Sequence, residues 1–549
     1  MLLHFSSPET SAAASSSAIG YDAELALRLR QHPKAAHAKL LHWHNSCDTT
    51  HAKEMNVHFW FGELGLTRLL LQRGLGGIYL VAFLNVVFQF RPLLGERGLL
   101  PVPAYLKRVT FARAPSIFHL HYSDRFLAVV GWLGVALSVS AVLGLSDNGP
   151  LWLSLAVWSL LYLLYLSIVN VGQAFYAFGW ESMLLEAGFF AVFLGPSGMT
   201  PSVVPVLALR WMLFRVELGA GLIKLRGDSC WRDLTCLYYH HETQPLPNPL
   251  SAYFHHLPKP IQRASVAFSH FVQLAVPFGL WAPLPVASVA GCLLIVHQLA
   301  LIVSGNYAWL NWLTVVLGCS AFSDNILGLV LPLSIPRLAP RPIVFDFVLY
   351  GLGALTLLLS IKPSLNLLSK QQAMNETYNP LHLVGSYGAF GSVTRQRHEV
   401  VLEATLDEEL SETTHWREYE FKGKPGDLQR RPRQWAPYHL RLDWSMWFLP
   451  LRAVVTRRGI LSRGYPVWFM RLVRRLSRAD AATLALLHRS PFGAQPPSYV
   501  RANFYCYQMT TLAERRHTGA HWKRTYLGEY LPALGRAADA EMHLDASQY

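Results

Sequence analysis

Apolar residues gather into nine runs over the first two-thirds of the chain, and the texture changes after Ile361. The runs cover residues 66–90, 126–145, 151–170, 179–194, 203–225, 266–282, 284–304, 307–331 and 343–361. A bilayer core of about 30 Å needs roughly 20 mostly apolar residues per helix. Most runs reach that length, so the pattern predicts a multi-pass α-helical transmembrane bundle of about nine spans. The run 179–194 is short, and a re-entrant segment is the alternative there. Periodicity does not separate a buried helix from a lipid-facing one, so length carries the assignment.

Residues 362–549 hold no long apolar run. Alternation in "HEVVLEATL", "WREYEFKGKPGD" and "YHLRLDWSMWF", bounded by Gly and Pro, predicts strands. "SRADAATLALLH" predicts a helix that starts near a Ser or Asp cap. The expectation is a β-rich C-terminal domain at 362–549, behind a bundle at 66–361 that carries a polar loop at 226–265. Residues 1–65 form a polar tail with His42, His44, His51 and His58 around Cys47. That spacing matches no standard zinc pattern, so no metal site is expected. Residues 1–18 lack a basic segment before an apolar core, so the first span is expected to target the chain.

Composition narrows the class. Of 549 residues, 52% are hydrophobic and 15% charged, against roughly 25% charged in soluble domains. This excludes a disordered chain, a collagen and a coiled coil. Six cysteines are too few for a disulfide framework. The net charge is +14, but the basic residues are scattered and show no nucleic-acid-binding signature, so no nucleic acid partner is expected. No Gly-x-Ser-x-Gly elbow, phosphate loop or dinucleotide fingerprint is present, and no cofactor is expected.

An odd number of spans puts the two ends on opposite sides of the membrane. The acceptor triplet Asn375-Glu-Thr favours a lumenal C-terminal domain. Arg337 and Arg341 fit a cytosolic loop, whereas Arg91, Arg97, Lys107, Arg108 and Arg113 depart from the positive-inside rule.

The run 203–225 carries Arg210, Arg215, Glu217 and Lys224. Seven residues turn a helix by about 700°, so Arg210, Glu217 and Lys224 share a stripe while Arg215 points elsewhere. The stripe lines a polar cleft, or it pairs between helices with Glu181 or Glu186. Gly219–Gly221 lets another helix approach closely. The following loop, "RGDSCWRDLTCLYYHHETQPLPNP", places Cys230 and Cys236 six apart. They form a small-loop disulfide, a thiol pair or two unrelated cysteines. His240, His241 and Glu242 resemble metal ligands only loosely, and structural hydrogen bonding is expected.

Long motifs give a resemblance. "GAGLIKLRGDSCWRDLTCLYYHHETQPLPNP", "PLLGERGLLPV", "SIVNVGQAFYAFGWESMLLEAGF", "LIVSGNYAWLNWLT", "MNETYNPLHLVGSYGAFGSVTRQRHEV", "WREYEFKGKPGDLQRRPR" and "APYHLRLDWSMWF" resemble the lipase maturation factor family over about residues 60–530. The resemblance implies a multi-pass endoplasmic reticulum membrane factor that assists folding and assembly of secreted proteins, especially dimeric lipases such as lipoprotein lipase. Its partners would be those clients and the lipid bilayer. Client contacts are expected among Trp416, Tyr419, Phe421, Trp435, Tyr438, Trp444, Trp447 and Phe448, because aromatics dominate binding hot spots. Alternating aromatics also build cores, and strand-edge pairing is another mode. "AGLIKLRGDSCW" is also distantly similar to the vitamin K-dependent gamma-carboxylase, where Lys224 would stand in the place of a catalytic base. An enzyme of that kind is the alternative to a folding factor, and a transporter that uses the charged stripe is a third class.

Overall fold

The computed structural model describes residues 60–333, 338–456 and 459–535. His42, His44, Cys47, His51 and His58 therefore lie outside the described residues. Among those described, the bundle contains α1 (Gly65–Leu94), α2 (Asp124–Leu143), α3 (Leu151–Val171), α4 (Gly179–Ala191) and α5 (Val203–Arg226). It continues with α6 (Lys259–Leu274), α7 (Leu284–Ser304), α8 (Leu310–Gly318), α9 (Ile343–Leu359) and α10 (Ile361–Leu368). Local signals set several ends. The Ser123 and Ser202 side chains accept from the Phe126 and Val204 amides at the starts of α2 and α5. Gly144 closes α2 in the left-handed region at φ +80°.

Cross-contacts fix the direction of each helix. At one end of the bundle, the Gly65 amide donates to Asp324 (2.7 Å), Arg68 to the Ser197 carbonyl (2.6 Å), and the Thr200 amide to the Ala339 carbonyl (2.9 Å). At the other end, Asn170 reaches the Pro380 carbonyl (3.1 Å), Arg226 that of Leu367 (2.8 Å), and Asn306 that of Arg433 (2.9 Å). The described C-terminal residues therefore gather at this second end. The helices alternate between the two ends, with α9 and α10 forming one leg.

The expectation of nine spans is corrected to five. Among the described residues, only Gly65–Leu94, Asp124–Leu143, Leu151–Val171, Leu284–Ser304 and Ile343–Leu368 are long and apolar enough to cross a membrane. Helix α4 has 13 residues, about 20 Å at 1.5 Å per residue. Helix α8 has 9 residues, α6 has 16, and α5 has the length but carries too many charges. Yet α3 and α7 run the same way, so the shorter helices between them return the chain. Helix α4 does so inside the protein, with nearly every side chain buried. Helix α9 lies at the outside, with Ile343, Val344, Phe347 and Leu357 each 70% or more exposed. A contiguous apolar surface of this kind is what lipid covers.

The C-terminal part builds an antiparallel sheet in the order β2–β1–β5–β6, from β1 (Arg397–Thr405), β2 (Arg417–Glu418), β5 (Tyr499–Met509) and β6 (Trp522–Gly535). A separate hairpin joins β3 (Ala453–Thr456) to β4 (Gly459–Ser462). "HEVVLEATL" is a strand as expected, with its residues on both faces buried. "WREYEFKGKPGD" supplies only the two residues of β2. "YHLRLDWSMWF" is not a strand but contains a helix, α11 (Arg441–Trp447). Arg441 through Met446 are all buried, so no solvent face existed for a period of two to report. The Arg441 amide, at the start of α11, donates to the Gln89 side chain of α1 (3.1 Å). Helix α12 (Val467–Ser477) packs Trp468, Phe469, Leu472, Val473 and Leu476 inward. Within "SRADAATLALLH", Ser477 ends α12 and Ala481–Leu484 is a short helix capped by Asp480.

Candidate functional site

The charged stripe of α5 is buried and hydrogen-bonded. Glu217 accepts from the Gln273 amide of α6 (3.2 Å) and the Gln298 amide of α7 (2.6 Å), and Asn311 of α8 donates to Gln298 (2.6 Å). Lys224 donates to the Gln273 carbonyl oxygen (2.7 Å) and stands 4.9 Å from the Trp231 ring centroid. Gln273 thus bridges the ammonium and the carboxylate, accepting from one and donating to the other. Arg210 donates to the Ser320 and Leu280 carbonyls. Pairing of the stripe with Glu181 or Glu186 is therefore corrected: glutamines and carbonyls hold it. Arg215, off the stripe, pairs with Glu186, which also accepts from the Tyr387 hydroxyl (2.7 Å) and the Gly385 amide (2.8 Å). At Gly219 a Cβ would stand 2.2 Å from the Tyr387 carbonyl, so the close approach there belongs to the 385–391 segment. At Gly221 it belongs to Leu274 of α6.

The loop after α5 closes over this network. Cys230 and Cys236 are disulfide-bonded with Cα atoms 4.7 Å apart, and both are buried. Asp228 accepts from the Cys230 amide (3.0 Å) and pairs with Arg395 (2.7 Å), which holds its carboxyl down at about 2. His240 bonds the Tyr307 hydroxyl (2.9 Å), and burial pushes its pKa down to about 4. His241 is lowered by burial as well, and burial raises Glu242, which accepts from the Met509 amide (2.7 Å). Among the described residues, no group of three or more His, Cys, Asp or Glu side chains could hold a metal ion. Glu242 ties the loop to β5 of the C-terminal sheet. Arg397 of β1 completes that tie by donating to the Glu242 (2.9 Å) and Pro245 (3.0 Å) carbonyls.

A second buried charge joins the two parts, and sequence reasoning missed it. Arg441 of α11 enters the bundle with no exposed side-chain surface. It donates to Asn85 (2.7 Å), the Phe175 carbonyl (2.8 Å) and Glu181 (2.7 Å), and its guanidinium lies 3.4 Å from the Tyr176 ring centroid. The signal available was an Arg inside an otherwise aromatic string, with polar Asn85 and Gln89 inside an apolar run.

The aromatic client candidates divide by burial. Tyr419, Phe421 and Trp444 are core residues at 4%, 2% and 5% exposure, which corrects their reading as contacts. Trp416, Trp435, Tyr438 and Trp447 are half-buried. Phe448 is exposed. Asn375 is exposed at the end of the bundle where the C-terminal residues gather.

The family model described as the lipase maturation factor transmembrane domain matches residues 66–329, and that of the C-terminal domain matches residues 383–532. Lipase maturation factor 1 of Bos taurus is 40% identical over 513 residues, covering 86% of this chain and 90% of that protein. The Homo sapiens protein of that name is 39% identical over 524 residues, covering 87% and 89%. Lipase maturation factor 2 of Xenopus laevis is 28% identical over 608 residues, covering 86% and 83%. No solved structure matches. The likeness runs through the bundle, the disulfide loop and the sheet alike, and the chain belongs to the lipase maturation factor family.

Proposed function

We propose that this chain is an endoplasmic reticulum membrane factor that assists folding, assembly and maturation of secreted proteins, with dimeric lipases as clients. The observation that carries the reading is the likeness to lipase maturation factor 1 proteins along 86% of the chain. In this reading the bundle anchors the C-terminal sheet in the lumen. Arg441 and Arg397 fix the sheet to the bundle mouth. Folding intermediates expose apolar surface and aggregate, and the sheet domain shields such surface until the client chains close or pair. Phe448, with the half-buried Trp416, Trp435, Tyr438 and Trp447, is available for contact. A lumenal position accords with the acceptor triplet at Asn375.

The test is coexpression with lipoprotein lipase in cells lacking their own maturation factor. The expected result is a rise in secreted lipase activity together with co-purification of the lipase. Absence of rescue would remove the reading, and rescue without co-purification would remove the shielding mechanism. In the same cells an endoglycosidase-sensitive mobility shift that disappears in Asn375→Gln is expected, and reachability of the C-terminal part only from the cytosol would overturn the topology.

A further inference from the structure

The sheet ends on one side at β2, a strand of only two residues, and its outer edge is open at one place. Pairing of Glu403 with Glu418 and of Ala404 with Arg417 sets the register. The Tyr419 amide donates inward to the Leu402 carbonyl (2.9 Å). Backbone groups alternate direction along a strand, so those of Glu418 and Glu420 point outward. At Glu420 the outward groups are used: its amide donates to the Arg489 carbonyl (3.0 Å), and its carbonyl accepts from the His488 amide (2.8 Å). The covering segment then leaves. The Ser490 hydroxyl turns back to the Gly493 carbonyl (3.1 Å), and Pro491 has no amide hydrogen to extend the ladder. The outward N–H and C=O of Glu418 therefore face a cleft of about 680 Å³ lined by Trp416, Arg417, Leu428, Arg489 and Pro491. That volume lies within the roughly 300–1,000 Å³ of ligand-sized sites.

The cleft wall carries Glu418, Glu420 and Asp427 beside Arg417, Arg489 and Arg524. Arg489 is paired with Glu420, and Arg524 with Glu418. Arg417 is exposed and packs on the Phe492 ring at 5.6 Å, with no carboxylate partner among the described residues. We propose that this cleft takes an extended, unfolded client segment, which adds as a strand along Glu418 and sets an acidic side chain against Arg417. The inference rests on the folding-factor reading and gives it a binding mode. Main-chain pairing ignores most side chains, and that suits a factor that must accept a chain before it has folded.

The probe is a fluorescent octapeptide of alternating Thr and Val with one central Glu, added to the full-length protein in detergent. The proposal expects its fully N-methylated form to bind at least tenfold more weakly. Glu418→Pro, which removes the outward amide and leaves the inward pairs of Arg417 and Tyr419, is expected to lose a similar factor. Glu418→Ala loses the Arg524 pair but keeps the amide, and stays within about threefold. Arg417→Glu is expected to lose the Glu peptide and to prefer a Lys analogue. Equal binding of the N-methylated peptide overturns the proposal, whether or not Glu418→Pro folds; so does a Glu418→Pro protein that folds and binds like Glu418→Ala. Failure of the wild-type chain to rescue lipase secretion would count against the folding-factor reading alone. Intact rescue with methylation-insensitive binding would count against the cleft alone.

Discussion

Replacing Arg441 by Met keeps a long unbranched side chain and removes the charge. Glu181 then stays fully buried without its cation, and Asn85 and the Phe175 carbonyl lose a donor. Breaking a buried pair by removing one partner costs about 3–5 kcal/mol, because the remaining charge is uncompensated. With an unfolding entropy of about 2.1 cal/mol/K per residue, a chain of 549 residues shifts by roughly 1 °C per kcal/mol, so the expected fall in Tm is about 3–5 °C. The assay is thermal unfolding of the detergent-solubilised chain, with tryptic cleavage within 383–532 as a second readout. Arg441→Met with Glu181→Gln removes both charges and is expected to recover part of the loss, since a neutralised pair leaves no stranded ion. Tyr165 still has an acceptor in that double variant. A single variant within about 1 kcal/mol of wild type, or a double variant worse than the single, would refute the assignment of docking to this pair.

Three other outcomes follow from the same contacts. Arg215→Leu strands Glu186 and frees the Gly385 carbonyl, so a loss of about 3–5 kcal/mol and early proteolysis near residues 385–391 are expected. Cys230→Ser with Cys236→Ser opens a loop of separation 6, for which the chain-entropy relation gives about 2 kcal/mol, measurable as a lower Tm in non-reducing buffer. Burial holds His240 and His255 neutral with pKa values of about 4, against 6.5 when unfolded. Protons then favour the unfolded chain, so this stability is full above pH 6.5 and declines as pH falls towards 4. Glu242, raised by burial, acts in the opposite sense. A Tm that falls between neutrality and about pH 5 is expected, with a shallower slope in His255→Gln.

The runs of apolar residues located every leg of the bundle, because hydrophobic length is written directly in the chain. They did not separate spans from short buried helices, since Gly179–Ala191 is apolar like a span but has only 13 residues, nearly all of them packed inside the protein. In the C-terminal part, β1 was legible while α11 was not, because Leu440, Leu442, Trp444 and Met446 recur every second residue and so mimic a strand across a buried helix. The stripe on α5 was legible from helical geometry. Its partners were not, because Gln273 and Gln298 are neutral residues that charge-matching overlooks. Tyr419 and Phe421 looked like contact residues because an alternating strand carries the same aromatics inward and outward.

The network on α5 bears on how the chain enters a membrane. The stripe residues are synthesised well before what satisfies them: Glu217 waits for Gln273 and Gln298, and Arg210 for the Ser320 carbonyl. A helix bearing these charges is costly to release alone into lipid. Helix α5 must therefore linger at the insertion machinery or in a watery vestibule until roughly a hundred further residues have emerged. Biogenesis of this bundle is then a delayed, collective step, and substitutions far downstream, at Gln298 or beside Ser320, will register as failures to integrate a helix made long before them.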